Sequence, residues 1–462
     1  MLKGKNVNMT EGPLFKNIIL YTLPIIATNL LQLLFNAADI IVVGRFCGSV
    51  SVGAVGSTSS LINLIINIMV GLSVGTGIIT AQNLGARNHE VVKQTVHTAI
   101  PTALIIGTIV SVFGFFFSGE LLELMGNPAE TLKLATVYLK IYFCGTLSLS
   151  IYNFGSAILR AAGDTKSPLV FLSVSGVLNV ILNLIFVTVF NMNVSGVALA
   201  TVASQTLSAV LVVMALIKRT DSCHLSFSQL KITKTVLLKI MRIGVPASIQ
   251  SSMFSVSNVI IQSSINSFGA IVVSGNAAAA NLEGFIYTSM NAFHQTALNF
   301  TGQNVGAHSP KRVKKVLYLC MLCAGSIGLI LGVATYIFGK PLLSIYITDS
   351  AEAIQAGVVR LFYIALFYAV CGVMEALTGT IRGMGASISP MAVSVFGACF
   401  FRIAWIFTVF QIDEFHKPAI LYLSYIISWI LIIVGLTVVF SVIYKKFKKS
   451  NKQKELSVEK QT

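Results

Sequence analysis

Charged residues are scarce in this chain, making up 10% of its 462 residues, and only 16 of them are acidic. Soluble domains carry roughly a quarter, so the composition excludes an ordinary aqueous globule. Short alternating strands of the kind a membrane barrel needs are missing as well. The seven cysteines are odd in number and scattered, mostly inside apolar stretches, which excludes a disulfide framework. Cys320 and Cys323 form a CxxC, but with no second pair and no nearby histidine they do not make a metal site. No paired His and acid motif, phosphate loop or nucleophile elbow occurs, so no catalytic residue, no enzyme activity and no cofactor are expected.

What the chain has instead is length of apolar run. Apolar residues reach 55% and the mean hydropathy is +0.83. Stretches of about 20 or more apolar residues, enough to cross a bilayer as helix, recur at roughly 17–43, 53–82, 91–117, 132–156, 168–190, 194–217, 241–267, 272–301, 313–337, 355–379, 391–411 and 418–444. The reading is an all-α integral membrane protein of twelve transmembrane helices. The first stretch is too long for a signal-peptide core and is expected to remain as a span, with the mature chain starting near Met1.

A net charge of +16 suggests nucleic acid at first sight, but the basic residues fall where membrane topology places them. Lys3, Lys5, Lys16, Arg87, Lys93, Arg160, Lys166, Lys218 to Arg242, Lys311 to Lys315, Arg382 and the tail from Lys445 to Lys460 all mark one side. Acids such as Glu120, Glu123, Asp349, Asp413 and Glu414 mark the other. Both termini are therefore expected in the cytoplasm, in a multi-pass protein of the plasma (inner) membrane with lipid around it and no nucleic acid.

The chain also repeats itself. Gln82-Asn83-Leu84-Gly85-Ala86 returns as Gln303-Asn304-Val305-Gly306-Ala307, Arg160 with Gly163 and Pro168 as Arg382 with Gly385 and Pro390, and Pro24 as Pro246, always 221 or 222 residues on. Six spans per repeat put both halves in the same orientation, which predicts two pseudo-symmetric six-helix lobes with a solute path between them. The expected divisions are an N-terminal lobe over 1–218, a cytoplasmic linker over 219–234, a C-terminal lobe over 235–446 and a basic tail over 447–462. One chain with two lobes is expected to work as a monomer. The glycine of Gln-Asn-x-Gly-Ala reads as a left-handed helix cap, and Arg160 and Arg382 as anchors reaching toward lipid phosphate.

Polar residues inside spans are costly and therefore informative. Three carboxylates lie there: Asp39, Glu283 and Glu375. Asp39 ends a series, Asn29, Gln32, Asn36 and Asp39, whose steps keep one helix face polar. Asn258 and Gln262 in the seventh stretch, and Asn291 and Gln295 in the eighth, extend the candidate cavity lining. Pro24 and Pro246 are candidate gating bends. Asn179, Asn183 and Thr201 lie at a depth similar to Asp39, so the four form a candidate ion-coupling cluster whose oxygens suit a proton or sodium. Asp39 has Ile261 at its repeat position, so coupling is expected to be asymmetric. Glu283 and Glu375 either attract a cationic substrate or, for Glu375, pair with Arg402. His294 reads as a hydrogen-bonded helix contact.

These residues resemble the multidrug and toxic compound extrusion (MATE) family, in its prokaryotic branch, from Thr10 to about Lys446. The resemblance rests on Thr10-Glu11-Gly12-Pro13, on Pro24, Asn36 and Asp39, on Gly71, Gly75 and Gln82 to Ala86, on Arg160 to Pro168, and on Gln303 to Ala307. It implies an antiporter that exports small amphipathic, often cationic, compounds against inward-moving protons or sodium. The first-span acid of the family corresponds to Asp39, and its polar partners to Asn179, Asn183 and Thr201. The chain departs from the family at Asn183, where many relatives carry a second acid, and at Phe254, where a sodium-coupled branch places one. A lipid-linked sugar flippase of the broader superfamily is the alternative. It calls for several basic groups deep within the spans, and those there are few, chiefly Lys140, Arg360 and Arg402.

Overall fold

The computed structural model describes residues 6–459. Lys3, Lys5 and Lys460 lie outside them, and so does the end of the basic tail. The described residues form twelve long helical segments: α1 (Leu14–Phe46), α2 (Ser49–Gly85), α3 (His89–Leu124), α4 (Ala129–Ala161), α5 (Lys166–Leu184), α6 (Asn193–Ile217), α7 (Lys234–Asn266), α8 (Ala270–Gly306), α9 (Pro310–Ile337), α10 (Ala351–Gly383), α11 (Ile388–Gln411) and α12 (Pro418–Glu459). Each coincides with most of one of the twelve apolar stretches. The protein is an all-α, multi-pass membrane protein. Ten segments have the length and apolarity to cross a membrane. The other two, α7 and α8, are as long but carry basic residues at the start of α7 and the polar series described above, which lower their apolarity.

Two helices are wider locally. A π-turn, Ile185–Val189, continues α5, and another, Val395–Phe400, interrupts α11. Such turns release a backbone hydrogen bond and often accompany functional sites. Pro24 and Pro246 sit inside unbroken helices. The Thr28 hydroxyl donates to the Pro24 carbonyl at 2.7 Å, a back-bond of the kind that bends helices.

The chain packs as two compact units. Unit 1 includes Leu23–Leu84 and Asn88–Ser248; unit 2 includes Asn8–Thr22, Gly85–Arg87 and the described residues from Ile249 onward. In unit 1 the apolar core gathers Val92, Phe154, Val212 and Leu216 from α3, α4 and α6. In unit 2 a single large cluster joins Ile286, Met290, Leu361, Leu377 and Leu436. Residues 219–234 are packed rather than free. Cys223 and Leu225 enter the core of unit 1, the Ser226 amide donates to His97 Nε2 at 3.1 Å, and Thr98 bonds the Lys231 carbonyl and the Thr233 amide.

The repeated motifs have matching geometry. Asn83 and Asn304 each donate from Nδ2 to the carbonyl four residues earlier, at 2.8 and 2.7 Å. Gly163 and Gly385 end their helices with φ of +87° and +89°, where a side chain is disfavoured. Gly85 and Gly306, in contrast, remain helical, and the left-handed residues are Arg87 and His308, two positions on. The Gly85 position serves close approach instead, because a Cβ there would overlap the Gln303 backbone.

Candidate functional site

Within unit 1 the expected polar cluster assembles. Gly176, Asn179 and Asn183 share one face of α5, and Phe35 and Asp39 share one face of α1. Gly176 lies against the Phe35 ring so closely that a Cβ would overlap it. That contact brings α5 near enough for Asn183 Nδ2 to donate to Asp39 Oδ1 at 2.5 Å. The same amide donates to Asn179 Oδ1 at 3.3 Å, and Asn179 Nδ2 donates to Thr201 Oγ1 at 3.4 Å. Thr201 donates to the Val197 carbonyl at 3.0 Å and is also a side-chain partner of Asp39. One hydroxyl hydrogen cannot serve both acceptors, so Thr201 chooses between them. Asn183 is fully buried, and its Oδ1 has no hydrogen-bond partner. The buried tyrosines Tyr138 and Tyr142 of α4 lie within electrostatic reach of Asp39. Among the described residues no ion pair involves Asp39. Gln32 and Asn36, on the same helix, are exposed.

Unit 2 treats its carboxylates differently. Arg360 grips Glu283 with two bonds, Nε to Oε1 at 3.0 Å and Nη2 to Oε2 at 2.7 Å. Its Nη1 donates to Asn276 Oδ1 at 2.7 Å, which also accepts from the Tyr422 hydroxyl at 3.1 Å. Asn276 in turn donates to Gln262 Oε1 at 3.0 Å. The Glu283 carboxylate is therefore satisfied by a bidentate guanidinium, and the half-buried Gln262 joins the same network through Asn276. Glu375 pairs with His294, Oε2 to Nδ1 at 2.9 Å, and not with Arg402. Arg402 is held instead by Ser428 at 3.0 Å and by the Tyr425 ring, 4.0 Å from its guanidinium carbon. Arg382 also turns inward: it is 5% exposed and donates to Gln250 Oε1 at 2.7 Å, where a reach toward lipid phosphate was expected. Asn258 is exposed and accepts from the Tyr425 hydroxyl at 3.5 Å, while Gln295 donates to Asn291 at 3.4 Å. No cluster with metal-ligand character in His, Cys, Asp or Glu occurs among the described residues.

Residues 24–185 and 246–408 each match the family model described as MatE. The two matches begin at the repeated prolines, Pro24 and Pro246. The chain belongs to the MATE family. This MATE chain is 31% identical over 393 residues to a probable multidrug resistance protein of Bacillus subtilis, YpnP, covering 85% of this chain and 87% of the relative. It is 24% identical over 386 residues to the probable multidrug resistance protein NorM of Thermotoga maritima, covering 82% of each. In three dimensions it resembles an outward-facing multidrug resistance MATE family transporter of the MOP superfamily, with TM-score 0.88 and 20% identity over 98% of this chain and 100% of that one. A MOP superfamily transporter from Pyrococcus furiosus gives a TM-score of 0.84 at 21% identity, with 98% and 99% covered. The structural likenesses fix the MATE fold.

Sequence reasoning missed Gly176, Asn276, Gln250 and Tyr422. Gly176 was findable, since it stands three and seven residues before Asn179 and Asn183 on their own helix face. The others depend on which helices pack together.

Proposed function

We propose that this MATE chain exports small amphipathic, often cationic, compounds, and that the driving step is an inward-moving proton or sodium ion taken up at Asp39. The observation that carries this reading is the company of Asp39. Its partners are the Asn183 amide and the Thr201 hydroxyl, no ion pair compensates it among the described residues, and an intramembrane acid of that kind needs a mobile positive charge. The unpartnered Asn183 oxygen, the Thr201 hydroxyl and the carboxylate are hard oxygen donors, suited to sodium as well as to a proton. The relatives named as multidrug resistance proteins support the substrate class. The distribution of basic residues supports cytoplasmic termini. Pro24 and Pro246, each inside a long helix, are the positions at which bending would accompany transport.

The test is cationic-dye efflux from liposomes containing the purified full-length chain, under an imposed proton gradient and separately under a sodium gradient. Gradient-driven dye movement is expected, and Asp39→Asn is expected to lose it. Absence of transport under both gradients would overturn the reading.

A further inference from the structure

The second buried acid cluster, in unit 2, is built around a histidine. Gly379 of α10 presses on the His294 carbonyl so closely that a Cβ would collide with it. Glu375 and Arg382 stand four residues before and three after that glycine, on the same helix face. They consequently straddle the imidazole, all three side chains being buried, with 9%, 7% and 5% exposure for Glu375, His294 and Arg382. His294 Nδ1 is 2.9 Å from Glu375 Oε2 and 3.0 Å from the Glu375 carbonyl. On the opposite edge, His294 Nε2 is 3.5 Å from Arg382 Nη1.

Since arginine only donates, Nε2 facing it is an acceptor, and Nδ1 carries the hydrogen toward Glu375. The cluster is then one carboxylate, one neutral imidazole and one guanidinium, with no net charge. Other titratable groups near it are Tyr287 on α8 and Cys371 on α10, both of which interact with Glu375. Arg402 of α11 acts on Cys371, and Gln250 of α7, which is neutral, holds Arg382. Arg382 Nε is buried without a hydrogen-bond partner, so the guanidinium is incompletely satisfied where it stands.

We propose that His294, clasped between Glu375 and Arg382, is a second proton-binding site, separate from Asp39. A proton arriving at Nε2 takes up the lone pair that accepts from Arg382, so the proton and the Arg382 contact exclude each other. Arg382 must withdraw, keeping Gln250 as its partner, and the cluster passes from neutral to a net charge of +1. A buried uncompensated charge is unfavourable in a membrane protein interior. Protonation therefore favours an arrangement of unit 2 in which α10 has shifted on α8 or water has entered. At the repeat positions of unit 1 stand Ser73, Asn153 and Arg160, so the trio with two titratable members exists in unit 2 alone. The use of this proton to drive export rests on the function proposed above; its binding does not.

The experiment is nitrogen NMR of the imidazole rings in the full-length chain, reconstituted in lipid nanodiscs, with the His294 signal assigned by its loss in His294→Gln. At about pH 8 the signal is expected to report a neutral ring with hydrogen on Nδ1, converting to imidazolium as the pH is lowered to about 5. The same conversion is expected in Asp39→Asn. A His294 ring that stays neutral over the whole range, in the wild type and in Arg382→Gln, would overturn the site. Dye efflux separates the two proposals. If the ring titrates while no efflux occurs under either gradient, the site stands and the export reading fails. If efflux is gradient-driven and its pH profile is the same in His294→Gln, the site has no part in coupling.

Discussion

Asp39 in unit 1 and Glu283 in unit 2 are both carboxylates inside long helices, yet the fold surrounds them with opposite chemistry. Glu283 is clamped by a bidentate arginine that is itself fixed by Asn276 and stacked over Tyr422. Asp39 meets Asn183 and Thr201, which donate hydrogen bonds but bring no charge. A clamped acid has little to offer a passing cation, because removing its arginine would leave a buried charge exposed to apolar surroundings. An acid among neutral donors keeps its demand for a positive partner. The contrast leaves Glu283 bound to a fixed cation and Asp39 bound only to neutral donors, which is the ground for the role proposed for Asp39, and the His294 cluster combines features of both.

The comparison breaks most easily at Asp39. Asp39→Asn keeps size and hydrogen bonding, so it is expected to reduce gradient-driven efflux to background while thermal unfolding in detergent stays near wild type. Near-normal efflux would move coupling to another group, with the His294 cluster next in line. The reverse pattern is expected at the clamp: Arg360→Met leaves Glu283 unpaired, with a loss of about 3 to 5 kcal/mol read from thermal or denaturant unfolding. Combining it with Glu283→Leu is expected to restore much of that stability, since an apolar pair often replaces a buried ion pair without loss. If Arg360→Met instead unfolds like wild type and stops transport, Glu283 is not structural.

A smaller effect is expected where geometry alone is altered. Gly176→Ala forces α5 away from the Phe35 ring, with a cost of about 1 to 3 kcal/mol for overpacking, and draws Asn183 away from Asp39. Ion dependence of efflux is expected to weaken more than dye binding, and equal changes in both would separate the glycine contact from the coupling cluster. Pro24→Ala, which restores a backbone donor and removes a bend, is expected to slow turnover at normal expression.

The smallest effect concerns a partly exposed ion pair of unit 1. Arg219 Nε lies 2.9 Å from Asp221 Oδ1 in the packed 219–234 segment. Burial works to raise the Asp221 carboxyl, but the hydrogen bonds and charge of Arg219 outweigh it and hold the group below its ordinary value. A depressed carboxyl adds stability at neutral pH, and that contribution fades as pH falls through the folded value. Because the acid is about half exposed, with a side-chain exposure of 46%, Arg219→Ala is expected to cost at most about 1 kcal/mol. The difference from wild type should shrink in acid unfolding curves.

The repeat, the helix inventory and the polar cluster around Asp39 were legible because each is written in local pattern. Apolar run length fixes a membrane helix, and steps of three and four residues place Asn29, Gln32, Asn36 and Asp39 on one face. The depth of Asn179, Asn183 and Thr201 along their helices then follows from counting. The partners of Glu283, Glu375 and Arg382 were not legible, because they lie on other helices and depend on which glycines allow two backbones to meet. The expected partner of Glu375 was Arg402, and only the contact of Gly379 with the His294 backbone brought the histidine to it instead. Arg382 illustrates the same limit, since a basic residue at a helix end suits either lipid phosphate or a buried amide, and the approach of α7 supplied Gln250. Sequence by itself determined how many helices there are, which faces are polar and that the halves repeat, since these follow from periodicity along one chain. Tertiary structure decided which carboxylates meet a charged partner and which meets only neutral donors, since pairing energy depends on distances of a few ångströms between segments far apart in sequence.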